Sequence, residues 1–112
     1  MLNALRMTLQ TQFVLQAMLS DLRGEHYGME LCAETGLAAG TIYPILARLE
    51  LAGWVESRWE DPATHVAEGR PRRRYYQLTG QGAVQAREAL ERAERARARL
   101  RAGALRGAAG VS

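Results

Sequence analysis

The stretch that most constrains the fold runs from Gly36 to Gly53 and reads GLAAGTIYPILARLELAG. Apolar residues recur in it at i, i+3, i+4 and i+7, the spacing that lines one face of a helix. They are Ile42, Ile45, Leu46 and Leu49. The opposite face is short and partly polar, and it carries Thr41, Tyr43, Pro44, Ala47 and Arg48. Such a face suits close approach to base edges and phosphates, although an ordinary amphipathic surface helix gives the same pattern.

The residues before this stretch complete a helix-turn-helix pattern. A short helix is predicted over residues 27–35, and Gly36 follows where a glycine commonly ends a helix. Leu37 fills the turn, and a further helix is predicted over residues 41–52. A helix, a tight glycine-containing turn and a second helix are the parts of a helix-turn-helix, in which the second helix enters a DNA groove.

Two residues of this predicted recognition helix depart from the usual pattern. Ala39 stands where a serine or threonine cap is common, which forgoes roughly 1 kcal/mol of capping. Pro44 lies about one turn into the helix, where it removes a backbone hydrogen bond and presses on the preceding turn. We expect a slight bend at Pro44, with Gly40 leaving room for the ring.

A first helix is predicted over residues 2–22, and its apolar residues cover more than one stripe. A helix that is apolar on two sides usually packs against two neighbours. Because the chain has only 112 residues, the second neighbour of this helix can be another subunit. A polar turn that contains Gly24 follows over residues 21–26.

Two segments after the recognition helix have the period of strands. Residues 54–60 (WVESRWE) alternate in character, and residues 72–79 (RRRYYQLT) are predicted as the returning strand. Tyr75 and Tyr76 then point to opposite faces, one inward and one outward. Residues 61–71 are rich in turn formers and are predicted as a loop.

Arginines cluster at the tip and root of this predicted hairpin. They are Arg70, Arg72, Arg73 and Arg74. Two strands with a basic loop directly after a recognition helix make the wing of a winged helix. Unpaired arginines on such a wing can reach a minor groove or the flanking phosphates, whereas a solvated loop is the alternative.

A last helix is predicted from the cap Thr79 over residues 80–102, and its buried side is mostly alanine. A long helix of this kind extends beyond the small core, so we expect it to pair with the same helix of a second subunit. The predicted dimer contacts on the first and last helices are Leu9, Phe13, Ala86, Leu90, Ala93 and Leu100. The glycine-rich residues 103–112 are predicted to be disordered.

The charge of the chain is unevenly distributed. Residues 1–53 hold three arginines against five acidic residues, whereas residues 54–112 hold twelve arginines against seven acidic residues. A basic second half favours an anionic partner, with double-stranded DNA the first candidate. No apolar run approaches the length of a membrane span, and the single cysteine excludes an internal disulfide, so we expect a cytoplasmic protein without contact to the membrane.

An enzyme is not expected from this sequence. It has no P-loop, no G-x-S-x-G and no H-E-x-x-H pattern, and His26 and His65 lie in polar segments without the spacing of metal ligands. No cofactor and no metal site are predicted. Cys32 is interpreted as a small core residue, with a redox sensor as the minor alternative.

The strings GTIYPILARLELAGWVESRWE and GRPRRRYYQLTGQG together resemble the PadR-like transcriptional regulators. The resemblance covers about residues 8–100 and is closest to the short form of the family, which has one C-terminal helix. It implies a dimeric winged-helix protein that binds DNA and usually represses promoters. It also implies that Thr41, Tyr43, Pro44 and Arg48 face DNA and that Arg70 and Arg72 to Arg74 occupy the wing.

Some short-form relatives bind flat aromatic compounds between tryptophans of the last helix. Here Trp54 and Trp59 both precede the predicted wing loop, so the sequence does not support that mode, and any small-molecule effector is unknown. Ala38 and Ala39 also replace the usual polar or proline-containing approach to the recognition helix.

The sequence therefore predicts an α+β, mostly α fold: a winged helix-turn-helix with a long C-terminal dimerisation helix. Residues 1–79 form the DNA-binding domain, residues 80–102 the dimerisation helix and residues 103–112 the tail. The predicted function is that of a dimeric repressor on an inverted-repeat operator. The alternative is a winged-helix module that docks another protein without binding DNA.

Overall fold

A computed structural model describes residues 5–110 of the chain. The described part contains five helices and three short strands. In chain order they are α1 (Leu9–Leu19), β1 (His26–Tyr27), α2 (Gly28–Thr35), α3 (Ala39–Leu51), β2 (Val55–Trp59), α4 (Pro62–Glu68), β3 (Arg74–Leu78) and α5 (Gly80–Gly110). The α+β, mostly α prediction is confirmed.

The helix-turn-helix consists of α2 and α3. Gly36 ends α2 in the left-handed region at φ 75°, and its N–H donates to the Cys32 carbonyl oxygen at 2.9 Å. A side chain is strained at that φ, which is why glycine stands there. Helix α3 begins at Ala39, two residues before the predicted start, so the cap position falls on Ala38 and not on Ala39. The expected lack of a side-chain cap is confirmed, because Ala38 makes no capping hydrogen bond through its side chain.

Pro44 lies inside α3, and the helix continues past it to Leu51. The suggestion that glycine at position 40 makes room for its ring is not supported. A Cβ built on Gly40 would meet no atom within 4 Å, so an alanine would fit there as well. The bend at Pro44 stays a prediction.

The core lies between α1, α2 and α3 and is closed by the sheet and the start of α5. All four apolar residues that define the predicted inner face of α3 are buried: Ile42, Ile45, Leu46 and Leu49. They pack with fully buried residues of α1 and α2, namely Val14, Leu15, Met18 and Leu31. Helix α1 is shorter than its apolar pattern predicts. It begins only at Leu9, because Thr8 caps it by accepting a hydrogen bond from the Thr11 N–H at 3.2 Å, and it ends at Leu19.

The sheet has the antiparallel order β1-β3-β2. Strands β2 and β3 pair from Val55 with Leu78 to Trp59 with Arg74, which confirms the predicted hairpin. Tyr76 is buried and Tyr75 is partly exposed, as the strand period predicts. Strand β1 was not predicted, since a strand of two residues is too short to show a period.

The hairpin connection contains a helix, α4, where the sequence analysis predicts a loop. The Asp61 side chain caps α4 by accepting from the Ala63 N–H at 2.9 Å, and Pro62 follows at the first helical position. Gly69 ends the helix at φ 65°. A capping aspartate, a proline at the first position and a closing glycine are start and stop signals, so the helix was detectable in the sequence.

Helix α5 is longer than predicted. Thr79 caps it, because its hydroxyl oxygen accepts from the Gly82 N–H at 2.9 Å, and the helix then continues to Gly110. The disordered tail predicted from residue 103 is therefore wrong as far as Gly110; residues 111–112 lie outside the described part. Alanine has the highest helix propensity, which offsets the roughly 1 kcal/mol that each glycine costs.

Beyond the core, α5 forms an arm that gives the molecule a longest dimension of 68 Å. Within residues 5–110, none of the helices combines the length and the apolar character that crossing a bilayer demands.

Candidate nucleic-acid interface

An open concave surface of about 700 Å³ lies between the helix-turn-helix and the root of the hairpin. One side of it is formed by Tyr43 of α3 and the start of α2, and the other by Trp59 and the arginine cluster of residues 70–74. Tyr43 is 44% exposed. Tyr43, which the sequence analysis assigns to the recognition helix, and the predicted wing arginines therefore line one accessible surface.

The position of Tyr43 depends on Gly28, the first residue of α2. A Cβ built on Gly28 would overlap the end of the Tyr43 phenol ring, so the ring lies directly over the bare glycine backbone. The sequence analysis missed Gly28, because a glycine at the start of a short helix gives no sign of what packs on it. Three further residues assigned to this helix face are at least partly exposed: Thr41, Pro44 and Arg48.

Arg70 is engaged in a bidentate ion pair. Its Nη1 and Nη2 donate to Glu60 Oε1 and Oε2 at 2.6 and 2.9 Å, and its Nε donates to Glu68 at 2.8 Å. The side chains of Arg70 and Glu60 are only 19% and 5% exposed. The description of Arg70 as an unpaired wing arginine is therefore wrong: its guanidinium closes the hairpin connection around a buried carboxylate.

Glu60 connects the arginine cluster. It accepts a further hydrogen bond from the Arg73 N–H at 2.7 Å, and its own carbonyl oxygen accepts from Arg72 Nε at 2.9 Å. The pKa of Glu60 is lowered to about 2, chiefly by the hydrogen bonds from Arg70 and also by the one from the Arg73 N–H, whereas burial acts in the opposite direction. Because Glu60 is ionised at any pH well above 2, its ion pair holds the root of the wing in place near neutral pH.

Arg72 and Arg73 lie over aromatic rings. The Arg72 guanidinium is 5.5 Å from the centre of the Trp59 ring, and that of Arg73 is 4.0 Å from the centre of the Tyr27 ring. Within residues 5–110, neither side chain forms an ion pair with a carboxylate. Stacking on a ring orders a guanidinium and leaves most of its N–H groups free for phosphate oxygens.

Arg74 links the hairpin to the recognition helix. Its Nη2 donates to Ser57 Oγ at 2.8 Å and approaches Glu50 Oε1 at 3.4 Å, and Ser57 in turn donates to Glu50 at 2.6 Å. Because Glu50 belongs to α3, this network sets the position of the hairpin relative to that helix. Arg74 thus has a clear structural role, which basic composition alone does not distinguish from contact with a ligand.

The residues predicted at a dimer interface divide into three groups. Leu9, Phe13 and Leu100 are exposed, with Leu100 at 74%. Leu90 and Ala93 are partly buried. Ala86 is fully buried in the core of the single chain, so its assignment to an interface is wrong. The helical period identifies the inner stripe of α5, but only the fold shows where that stripe leaves the core.

A helix-turn-helix followed by a two-stranded wing defines this protein as a winged-helix protein of the class found in transcriptional regulators. The model of the PadR-like family of transcriptional regulators matches residues 17–88, and the chain belongs to that family. No curated protein sequence matches it.

Solved structures of regulators have the same fold. A transcriptional regulator from Clostridium thermocellum shares 22% identity, over 82% of this chain and 86% of the other, at a TM-score of 0.63. A PadR-like regulator from Bacillus cereus shares 23%, over 81% and 86%, at 0.60. A PadR family regulator from Eggerthella lenta shares 26%, over 93% and 88%, at 0.57.

Proposed function

We propose that this transcriptional regulator is a homodimeric repressor that binds an inverted-repeat operator in the cytoplasm. The observation that carries the proposal is the shared concave surface, on which Tyr43 of α3 faces the same open space as the arginines of residues 70–74. A recognition helix and a wing that open onto the same side can hold one DNA duplex together.

In this proposal α3 enters a major groove. The Tyr43 hydroxyl both donates and accepts hydrogen bonds, and its ring offers an apolar face to a thymine methyl group. Thr41 and Pro44 lie on the same exposed side, and Arg48 reaches a phosphate one to two turns further along the helix. Tyr43 carries sequence discrimination, and Arg48 adds affinity that depends little on sequence.

The wing arginines have two roles. Arg72 and Arg73, which stack on Trp59 and Tyr27, contact the flanking phosphates or a narrow minor groove. Arg70, together with Glu60, holds the hairpin in place for them. The predicted DNA contacts of the wing are therefore reduced to Arg72 and Arg73, which form no ion pair with a carboxylate within residues 5–110.

Residues 1–79 act as the DNA-binding domain, and α5 joins two copies. The arm of α5 exposes Leu100 beyond the core, and α1 exposes Leu9 and Phe13. Burial of these side chains against a second copy removes apolar surface from water. The two α3 helices then lie about 34–36 Å apart, one turn of DNA. Bound to a promoter, the dimer occludes polymerase, and an effector acts by changing this distance.

Two variants test the assignment of roles. Tyr43→Ala is expected to weaken binding to the preferred site by about 1–3 kcal/mol, and binding to random DNA far less. Arg72→Ala combined with Arg73→Ala is expected to weaken both alike and to reduce the slope of log K against log salt by roughly two. The preferred site is first selected from random duplexes, and affinities are measured by fluorescence anisotropy at several salt concentrations.

Three results would contradict the proposal. If the Arg72→Ala, Arg73→Ala double variant bound DNA with wild-type affinity, the wing arginines would not contact DNA. Selected sites without twofold symmetry would exclude the dimeric arrangement. Affinity for DNA that barely responds to salt would favour the protein-docking alternative, since phosphate contacts release counterions.

A further inference from the structure

A cluster of three potential metal ligands lies where β1 leads into α2. It consists of His26, Glu30 and Glu34. Glu30 and Glu34 are four residues apart on α2, so they lie about one helical turn apart on the same face, whereas His26 belongs to β1 and precedes the helix, which begins at Gly28. One side-chain atom from each lies within 4.8 Å of the other two. His26 is buried, Glu30 is partly exposed and Glu34 is exposed, so the cluster leads from the core to solvent.

The hydrogen bonding of His26 determines which ring nitrogen faces the carboxylates. Its Nε2 lies 3.2 Å from the carbonyl oxygen of Asp21, which can only accept, so Nε2 carries the proton and donates. In the neutral ring, Nδ1 then holds a lone pair. Nδ1 is buried, has no hydrogen-bond partner among the described residues, and lies 3.5 Å from Glu30 Oε1.

A buried lone pair next to carboxylate oxygens is an unfavourable arrangement unless a positive charge lies between them. The His26 side chain is only 6% exposed, so water cannot readily supply a donor. A metal ion resolves the conflict, since imidazole nitrogen and carboxylate oxygen are both ligands for it. A histidine that binds a metal also usually donates its other N–H to a carboxylate or a backbone carbonyl, which His26 does at Asp21.

We propose that His26, Glu30 and Glu34 bind one divalent first-row transition-metal ion per chain, with zinc as the representative ion. In a tetrahedral zinc site with bonds of about 2.0–2.2 Å, neighbouring ligand atoms lie about 3.4 Å apart. In the structure the three ligand atoms all lie within 4.8 Å of one another. Small rotations of the two glutamate side chains would shorten these distances to about 3.4 Å. Water supplies the fourth ligand on the exposed side of Glu34.

The imidazole ligand sets the selectivity of this site. A site made of oxygen ligands alone suits Mg²⁺ and Ca²⁺, whereas an imidazole nitrogen favours zinc and its neighbours in the first row. Binding would join β1, which contributes His26, to the first two turns of α2, which contribute the carboxylates. The proposal concerns metal binding itself and does not require that the protein bind DNA.

The test uses the full-length chain without a histidine tag. Its affinity for zinc is measured at pH 7.5 by competition with a chromophoric chelator. We expect one zinc ion per chain, a binding constant for Glu34→Gln lower by roughly 10- to 100-fold, and no displacement by millimolar Mg²⁺. His65→Gln is the matched histidine control and Cys32→Ser the thiol control, and both are expected to bind zinc like the wild type.

A second measurement separates loss of binding from loss of folding. Glu34 is exposed, so Glu34→Gln is expected to melt like the metal-free wild type in a chelator. At the same zinc concentration, the melting temperature of the wild type should rise more than that of Glu34→Gln. The proposal is overturned if Glu34→Gln and His26→Gln bind zinc as tightly as the wild type, if Cys32→Ser loses the ion, or if no stoichiometric binding occurs.

Discussion

Replacing Gly28 with alanine is expected to move the Tyr43 side chain without unfolding the protein. Gly28 does not have a positive φ, so its backbone conformation accepts an alanine. The added Cβ would occupy the space of the Tyr43 hydroxyl and ring edge. Because this obstacle is the far end of a flexible side chain, Tyr43 can rotate away while the two helices stay in place.

Two opposing terms determine the effect on stability. Alanine is more favourable than glycine in a helix by up to about 1 kcal/mol. Forcing Tyr43 out of its preferred rotamer costs about 0.5–1.5 kcal/mol. The free energy of unfolding of Gly28→Ala should therefore lie within about 1 kcal/mol of the wild-type value.

The effect on DNA binding should be larger. A base contact made by Tyr43 contributes about 1–3 kcal/mol of discrimination, which corresponds to a roughly 5- to 150-fold loss of affinity for the operator. Affinity for random DNA should change little, because phosphate contacts carry it. Gly28→Ala would then reproduce most of the effect of Tyr43→Ala.

Fluorescence anisotropy with the selected operator and with an unrelated duplex measures both affinities, and urea unfolding measures stability. Gly80→Ala is the matched control, since Gly80 is also the first residue of a helix and a Cβ there would meet no atom within 4 Å. Wild-type affinity of Gly28→Ala for the operator, alongside weak binding by Tyr43→Ala, would show that Gly28 does not position the tyrosine.

Three further predictions concern stability and assembly. Gly82→Ala should lower the free energy of unfolding by about 1–3 kcal/mol, because the new Cβ would overlap the Trp54 carbonyl group, which cannot rotate away; urea unfolding measures it, and a wild-type value would contradict the packing. Glu60, with its pKa lowered from 4.5 to about 2, should contribute stability in full above pH 4.5 and lose it as the pH falls towards 2. Melts over this range should thus show the wild type approaching Glu60→Gln on acidification, and a constant difference would refute the linkage. Leu100→Glu should weaken the proposed dimer by about 1.5–3 kcal/mol per subunit in sedimentation equilibrium, whereas the exposed Leu51→Glu should not; equal effects would exclude α5 as the contact.

Local patterns in the sequence were sufficient for most of the fold. The apolar period of α3, the glycine that closes α2 and the alternation of β2 and β3 each depend on residues close in the chain. The α4 signals, Asp61, Pro62 and Gly69, were equally local, and they were outweighed by the overall turn-rich composition of the segment. Strand β1 had no such signal, because its pairing with β3 joins segments about fifty residues apart.

The candidate site was only partly predictable for the same reason. Exposure of Tyr43 follows from the helical period, and a basic hairpin follows from composition. Composition could not distinguish Arg70, which pairs with a buried glutamate, from Arg72, which stacks on a tryptophan. That difference depends on which side chains the folded hairpin places next to each guanidinium.

The sequence by itself determined the winged helix-turn-helix fold, since periodicity, caps and turn residues act over a few neighbouring positions. Its motifs also carried the resemblance to the PadR-like family, to which the chain belongs. Only the tertiary structure decided that Gly28 supports Tyr43, that Arg70 is held by Glu60, and that the buried Nδ1 of His26 lies next to the carboxylate of Glu30. The physical reason is that packing and ion pairing depend on distances in space, which the order of residues along the chain does not contain.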